Sequence, residues 1–371
     1  MKRRIRRTLA AIFDDEVAEG ARLDCLGGHA SLRIYWRIHL PLDLSPPRPY
    51  PRGESTLMAM VLPEDADPFE SAEGVSSRAP VPDRLPFVDV QRYLADIGMP
   101  VPSIDTVDTD TGVLILEDLG DRLFEDAVCD ADDDNEVLRL YRQAIDLVVD
   151  LQRRVEDERR HRGDDAESPS IAFERRFDGE LLRWELAHYR EWGLQARIGD
   201  DAVAGVADEL DACFDRLVDE LLEVPTTLVL RDYQSRNIMW KGTDWILIDF
   251  QDALIGPFVY DLVALLRDSY VELPNPSIEP LLDHYVEQAA AAGLPWADDA
   301  EAVHRAFHLQ TVQRKLKDAG RFINIDRTKD NPSFLDYYDP SIGYVRHALE
   351  ELDGFDDLAD ILEDIEPAFS N

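Results

Sequence analysis

Three polar side chains in the middle of the chain have the types and spacing of a reaction site. Asp232 is followed five residues later by Asn237, and Asp249 comes twelve residues after that, within an Asp-Phe pair. A carboxylate can orient a hydroxyl group and take its proton, while amide and carboxylate oxygens are hard ligands that Mg²⁺ prefers. This set, in this order, is typical of a site that transfers a phosphoryl group from a metal-bound nucleotide.

The eleven residues between Asn237 and Asp249 indicate how these ligands are positioned. They read as two short strands around a Lys-Gly-Thr-Asp turn, so a hairpin would bring Asn237 and Asp249 back to one end. Taken singly, an Asp five residues before an Asn, or an Asp-Phe pair, is more often a surface turn or cap. Both motifs in the right order, with a hairpin-like spacer and an apolar helix following, favour a catalytic or degenerate catalytic site.

The composition limits the kinds of partner. The chain has 371 residues, and 39 Lys and Arg against 77 Asp and Glu give a formal net charge of −38. Such a field repels nucleic acid and anionic membrane surfaces, and no apolar run approaches the ~18–20 residues of a membrane span. The three cysteines are far apart and lack a Cys-x-x-Cys pair, as is typical of reduced thiols in a cytosolic protein. We therefore expect a cytoplasmic protein with a small-molecule partner and leave its oligomeric state open.

Strand signals dominate the beginning of the chain. Apolar residues alternate over 32–38, and further strands are predicted over 55–62 and 113–116. One helix is predicted over 87–97 from the spacing of its apolar residues. These elements predict a small β-rich lobe over residues 1–120.

The rest of the chain has mostly helical patterns. An amphipathic helix is predicted over 135–154, followed by a charged loop over 156–169. Strand-rich sequence followed by helix-rich sequence, with the polar motif at the start of the second half, predicts an α+β fold of the two-lobed protein-kinase type. Residues 121–371 would form its larger, mostly helical lobe.

Four segments carry a family resemblance. Residues 30–37 resemble a phosphate-loop segment, residues 113–121 resemble the hinge between the lobes, and residues 231–237 and 248–262 are the most specific. On these segments the chain resembles the aminoglycoside-phosphotransferase/choline-kinase branch of the kinase-like superfamily over nearly its whole length. Within that branch it is most similar to the bacterial anomeric kinases that phosphorylate N-acetylmuramate and N-acetylglucosamine during cell-wall recycling.

The resemblance implies ATP and Mg²⁺ as cofactors and assigns roles to matching positions. Asp232 would be the catalytic base, with Asn237 and Asp249 as the metal ligands. The residues implied for nucleotide binding are Ser31 and Arg33 over the phosphates, with Glu117 and Leu119 at the adenine. Asp261 would brace the catalytic loop from the start of a helix by accepting backbone N–H groups.

Candidate substrate contacts follow from the same resemblance. They are Gln234, Arg236, Gln251, Asp252 and Arg314. Arg314 belongs to a basic cluster with Lys315, Lys317 and Arg321. At helical spacing, Arg314, Lys317 and Arg321 share one helix face. This cluster could hold the lactyl carboxylate of a muramyl sugar, or it could neutralise a nearby acidic face.

Three positions depart from the family pattern. Leu230 and Gln234 stand where the family has His, and the strand over 57–62 lacks the expected phosphate-binding Lys, for which Arg33 or Arg37 could substitute. The leading hypothesis is an ATP-dependent small-molecule phosphotransferase, a sugar 1-kinase acting on N-acetylmuramate or N-acetylglucosamine. The alternatives are a kinase of another acceptor (an aminoglycoside, a choline-like amine or another sugar) and a nucleotide-binding pseudokinase.

Overall fold

The computed structural model describes residues 1–27, 33–44, 50–63, 84–162 and 167–369. Within these residues, no helix is both long enough and apolar enough to cross a membrane. The predicted phosphate-loop residue Ser31 lies outside the described residues.

The helices and strands follow the chain in this order. In residues 1–122 they are α1 (Lys2–Ile12), α2 (Asp15–Gly20), β1 (Arg22–Gly27), β2 (Ile34–His39), β3 (Thr56–Val61), α3 (Pro86–Asp96), β4 (Ile104–Asp108) and β5 (Val113–Glu117). In the remainder they are α4 (Phe124–Cys129), α5 (Asp134–Arg162), α6 (Gly179–His188), α7 (Ala196–Ile198), α8 (Asp200–Ala204), α9 (Ala207–Glu223), β6 (Thr226–Val229), β7 (Ile238–Lys241), β8 (Asp244–Leu247), β9 (Leu254–Pro257), α10 (Tyr260–Leu266), α11 (Ile278–Ala291), α12 (Ala300–Lys329), α13 (Tyr338–Glu350) and α14 (Asp356–Ile365).

The chain divides into two compact units. The described part of residues 1–122 forms the first unit together with Met239–Gln251, and the rest of the described chain, Leu123–Ile238 and the residues from Asp252 onward, forms the second. In the first unit, β1 to β5 form an antiparallel sheet in the order β1-β2-β3-β5-β4. Together with the helical second unit, this sheet gives the α+β, protein-kinase-like fold that the sequence predicts.

In the sheet of the first unit, buried and partly exposed residues alternate along β2. Trp36 and Ile38 on β2 are buried, while their neighbours are partly exposed. The amphipathic helix α1 packs Ile5 and Leu9 into the same core. One face of the sheet therefore gains its stability by burying apolar surface against a helix.

The predicted hairpin between the two polar motifs is confirmed. Strands β7 and β8 pair around Gly242, whose φ of +65° suits a tight turn. Trp240 N–H donates to the Arg122 carbonyl over 2.8 Å, and Leu247 N–H donates to the Pro100 carbonyl over 2.8 Å. These bonds attach the hairpin to the first unit.

The second unit is built around the 30-residue helix α12. Every residue from Ala306 to Gly320 is buried, so this helix is enclosed on all sides although its sequence is not uniformly apolar. At Gly320 a Cβ would lie 2.8 Å from the Cα of Tyr189, which belongs to a π-helical segment, Tyr189–Gln195. Glycine therefore permits the close approach of two backbones at this point.

The predicted charged loop over 156–169 is wrong in its first part, because α5 continues to Arg162. Ion pairs one helical turn apart explain the extension, including Arg153 Nη1 to Asp157 Oδ2 at 3.1 Å and Arg162 to Glu158 at 2.5 Å. Each such pair stabilises a helix by about 0.2–0.5 kcal/mol. Ion pairs between its own side chains thus stabilise the helical conformation of this polar end of α5.

Candidate active site

Asp232 lies in a short loop between β6 and a 3-10 turn over Ser235–Asn237. The backbone before it is held by Asp261 in the first turn of α10: Oδ2 accepts from Leu230 N–H over 2.7 Å, and Oδ1 accepts from Arg231 N–H over 3.0 Å. This is the contact that the brace hypothesis requires. It also holds the loop through the backbone at Leu230, whose side chain is buried in the core.

Arg231 has a strained backbone that several groups hold in place. Its φ is +75°, a conformation that non-glycine residues rarely adopt. Its carbonyl accepts from Arg314 Nη1 over 2.9 Å, and its guanidinium lies 3.3 Å from Glu185 in a fully buried ion pair. With the Asp261 contact, these bonds fix both sides of the peptide that leads into Asp232, whose side chain keeps 21% of its surface exposed.

Asn237 is oriented by the same loop. Its side-chain Nδ2 donates to the Asp232 carbonyl over 2.8 Å, so the amide oxygen is turned away from that bond. Ser235 N–H donates to the buried Asp268 carboxylate over 2.8 Å, which fixes the turn between the two residues. An amide oxygen presented in this way is a hard donor that suits Mg²⁺.

Asp249 lies in the first unit, in the left-handed backbone region with φ +59°. Gln251 Nε2 donates to Asp249 Oδ1 over 2.9 Å and orients the carboxylate. The described residues contain no group of three or more His, Cys, Asp or Glu side chains arranged to hold a metal ion. A single carboxylate such as Asp249 fits Mg²⁺ that takes its other ligands from phosphates and water.

Arg33 and Tyr35 lie near Asp249 within the first unit. Burial raises the pKa of Tyr35 to about 12; the charge of Arg33 opposes this rise, and that of Asp249 adds to it. Tyr35 also donates to Met60 Sδ over 3.4 Å, on the strand where the family's Lys was expected. Tyr35 therefore lies within electrostatic reach of both Arg33 and Asp249.

The predicted adenine-binding segment is held by two cations. Lys241 Nζ donates to Glu117 Oε1 and Glu54 Oε1, each over 2.7 Å, and to the Asp118 carbonyl over 3.0 Å. Burial would raise the pKa of Glu117, but hydrogen bonds from Lys241 and Ser103 outweigh it and hold this pKa below its usual value. The Glu117 side chain is thus a structural anchor, and its backbone remains the candidate contact for adenine.

Arg37 is the second cation of this segment. It donates to Asp118 Oδ2 over 2.8 Å, to Asp121 Oδ1 over 2.8 Å and to the Gly120 carbonyl over 3.0 Å. These contacts bind the Arg37 guanidinium to the predicted hinge segment, residues 113–121. Arg37 thus pairs with acidic side chains, and both Arg33 and Arg37 stay predictions for the role of the missing phosphate-binding Lys.

The five candidate substrate residues have different surroundings. Arg314 is brought to Asp232, with Nη2 3.8 Å from Oδ1, whereas Arg236 pairs with Glu125 at 2.6 Å and stacks on the Tyr270 ring at 3.8 Å. The other three are spread over both units: Gln234 is half-buried in the catalytic loop, Gln251 contacts Asp249, and Asp252 is buried.

The basic cluster of α12 is buried around a carboxylate that the sequence reasoning missed. Asp318 lies 3.0 Å from Lys315 Nζ, 3.4 Å from Lys317 Nζ and 3.9 Å from Arg314 Nε. This pairing agrees with the alternative that the cations neutralise nearby acid, here one buried carboxylate on the same helix, and the role in holding a lactyl carboxylate stays a prediction. The helical spacing of Arg314 and Asp318 could have revealed their pairing, whereas nothing in the local sequence marks Asp268 or Lys241 as part of the site.

A sequence profile described as the phosphotransferase enzyme family matches residues 75–323. The N-acetylmuramate/N-acetylglucosamine kinase of Pseudomonas putida is 32% identical over 285 residues, covering 76% of this chain and 78% of that protein. The protein of the same name from Neisseria meningitidis serogroup B is 30% identical over 279 residues, covering 72% and 79%.

Among solved structures, a choline/ethanolamine kinase family protein from Mesorhizobium loti is similar with a TM-score of 0.55. The two chains cover each other over 100% of their lengths at 15% sequence identity. At this identity the likeness concerns the fold alone.

Proposed function

The chain belongs to the phosphotransferase enzyme family, and we propose that it uses ATP and Mg²⁺ to phosphorylate N-acetylmuramate or N-acetylglucosamine at the anomeric hydroxyl. The observation that carries this proposal is that two relatives with that activity in their names align over about three quarters of their length at 30–32% identity. Those names concern the relatives. Their extension to this chain is supported by the catalytic loop, which presents a carboxylate on a fixed backbone.

In the proposed reaction, Asp232 orients the acceptor hydroxyl and accepts its proton as the hydroxyl oxygen bonds to the γ-phosphorus of ATP and the bond from that phosphorus to the leaving ADP breaks. Asn237 and Asp249 would supply oxygen ligands to the metal, and Gln251 keeps the Asp249 carboxylate in position. Bound Mg²⁺ would neutralise charge on the triphosphate. The braced peptide at Arg231 keeps Asp232 from moving as it works, which favours transfer by pre-orientation.

Residues 1–120 would bind the nucleotide, and residues 121–371 would carry the catalytic loop, the metal ligands and the acceptor pocket. The backbones of Glu117 and Leu119 would contact adenine, with Ser31 and Arg33 over the phosphates. Arg33 is favoured for this role because its charge lies near Tyr35 and Asp249. A guanidinium can bind phosphate oxygens through several N–H groups at once.

We place this activity in the cytoplasm, as part of cell-wall recycling. The three cysteines are free, with Cys25 and Cys129 exposed and Cys213 buried. Free thiols of this kind fit a reducing compartment. The family's other acceptors, aminoglycosides and choline-like amines, are the competing substrates.

A panel of acceptors with labelled ATP tests the proposal. N-acetylglucosamine, N-acetylmuramate, kanamycin and choline are each incubated with the wild-type chain, and the phosphorylated product is identified. We expect a sugar 1-phosphate with one or both amino sugars. Transfer only to kanamycin or choline would show that the acceptor is not an amino sugar. Tight nucleotide binding without transfer to any acceptor would favour the pseudokinase hypothesis.

A further inference from the structure

Next to the catalytic carboxylate lies a second carboxylate that the proposed reaction does not use. Asp318 is on α12, and the Arg314 guanidinium links it to the loop: Nη2 is 3.8 Å from Asp232 Oδ1, and Nε is 3.9 Å from Asp318 Oδ2. Both carboxylates therefore flank one guanidinium. The Asp318 side chain still keeps 10% of its surface exposed.

The two oxygens of Asp318 differ in their contacts. Oδ2 accepts from Lys315 Nζ over 3.0 Å, and Lys315 is further held by donating to Ser269 Oγ over 2.9 Å. Oδ1 faces Lys317 Nζ at 3.4 Å, which is longer than the ~2.9 Å typical of N–H···O bonds. A carboxylate oxygen can accept more than one hydrogen bond, so Oδ1 retains capacity for a ligand.

The surrounding charges define what Asp318 can bind. Burial would raise the pKa of Asp318, but Lys315, Lys317 and Arg314 outweigh it and hold this pKa well below its usual range. Asp318 is therefore an ionised acceptor that cannot donate. A neutral hydroxyl can donate to Oδ1 of this carboxylate and accept from Lys317.

A tyrosine, Tyr270, lies near both Asp318 and Asp232. Burial raises the pKa of Tyr270, the charge of Asp268 adds to this rise, and the charges of Asp318 and Asp232 add further, while Arg236 opposes it. Tyr270 is itself only half-buried. An aromatic ring therefore lies within electrostatic reach of both carboxylates.

We propose that Asp318 and Lys317 form a hydroxyl-binding pair that recognises a neutral ring hydroxyl of the acceptor other than the one phosphorylated. The inference rests on the proposed sugar kinase function and narrows it, because a choline-like amine has no ring hydroxyl. Asp318 would thereby determine specificity while Asp232 carries out the chemistry.

The test compares N-acetylglucosamine with its 3-deoxy, 4-deoxy and 6-deoxy analogues. In the wild type we expect kcat/KM to fall by about 10²-fold or more for the analogue that lacks the recognised hydroxyl, because a site built for a hydroxyl rejects the analogue lacking it. In Asp318→Asn this ratio should shrink to less than about tenfold, with the KM for ATP nearly unchanged. Asp326→Asn, on the same helix, is the matched control and should keep the full ratio.

Lys317→Gln provides a second route if Asp318→Asn does not fold, and it should also reduce the preference for the hydroxylated sugar. Loss of kcat/KM by the same factor for every analogue, in either variant, would overturn the inference and leave the sugar kinase function standing. A wild type that phosphorylates N-acetylglucosamine and all deoxy analogues equally well would also overturn it. Failure of the proposed function is separate, since it appears in the wild type as transfer to no sugar.

Discussion

In the proposed reaction the chemistry depends on Asp232, and experiment can separate this role from nucleotide binding. Replacing it with Asn keeps the size and hydrogen-bonding capacity but removes the basic carboxylate. We expect kcat on the best sugar to fall by roughly 10²–10⁴, while nucleotide affinity measured by calorimetry stays nearly constant. Asp360→Asn, an exposed carboxylate on α14, is the control. Equal losses in turnover and nucleotide affinity would make Asp232 a structural residue.

Asp261 is a second residue whose chemistry is measurable. Burial raises the pKa of Asp261 from 3.8 to about 6, although the N–H groups of Leu230 and Arg231 and the charge of Arg314 oppose the rise. Between these two values the folded chain keeps a proton that the unfolded chain has lost. The contribution of Asp261 to stability is therefore complete below about pH 4 and is lost as the pH rises through about 6.

Urea unfolding of the wild type and Asp261→Asn between pH 4 and 7 measures this contribution. The Asn side chain does not titrate, so the difference in unfolding free energy between the two proteins isolates the carboxyl group. We expect the stability of the wild type relative to the variant to fall by up to about 3 kcal/mol over this range. If the unfolding free energies of the wild type and the variant change with pH in the same way, the pKa of Asp261 is not raised.

At the scale of elements, the catalytic loop depends on α12 being in place. This helix supplies Arg314 to the Arg231 carbonyl, and Gln313 Nε2 donates to Glu185, the ion-pair partner of Arg231, over 2.7 Å. The loop is thus positioned by a buried polar network whose members come from α6, α10 and α12. Buried groups of this kind are costly when one partner is lost.

Gly320 tests how closely α12 must approach the π-helical segment. In Gly320→Ala the new Cβ would lie 2.8 Å from the Tyr189 backbone, so one of the two elements must shift, and we expect a loss of about 1–3 kcal/mol. Gly343 on α13 is the matched control, because a Cβ there meets nothing within 4 Å. Gly343→Ala should stabilise by up to about 1 kcal/mol through helix propensity. Thermal unfolding measures the stability of both variants. Equal changes in stability would contradict the close approach of α12 to the π-helical segment.

At the scale of the whole molecule, net charge is the dominant property. A charge of −38 on 371 residues produces self-repulsion that opposes the compact state and is screened by salt. We expect the Tm to rise by about 3 °C or more between 0.05 and 1 M KCl. Sucrose does not screen charge and serves as the control for general stabilisation by excluded solutes. A Tm that is constant or falls with KCl would contradict this account.

The sequence by itself was enough for the fold class and for the hairpin between the two polar motifs. Apolar alternation marked β2, short apolar runs marked β3 and β5, and the turn at Gly242 marked the strands on either side of it. These features are local: they depend on the periodicity of side chains along one segment. The candidate residues Asp232, Asn237 and Asp249 were recognisable for the same reason, because their spacing lies within 18 residues of chain.

Only the tertiary structure decided which distant side chains surround Asp232. Arg314 and Asp318 are more than 80 residues away along the chain, and only the packing of α12, which is buried from Ala306 to Gly320, brings them beside the loop. The same holds for Lys241, which is tied to Glu117, and for Arg37, which is tied to Asp118. Such contacts are set by the packing of whole elements, and a buried charge must find its partner wherever that packing places one.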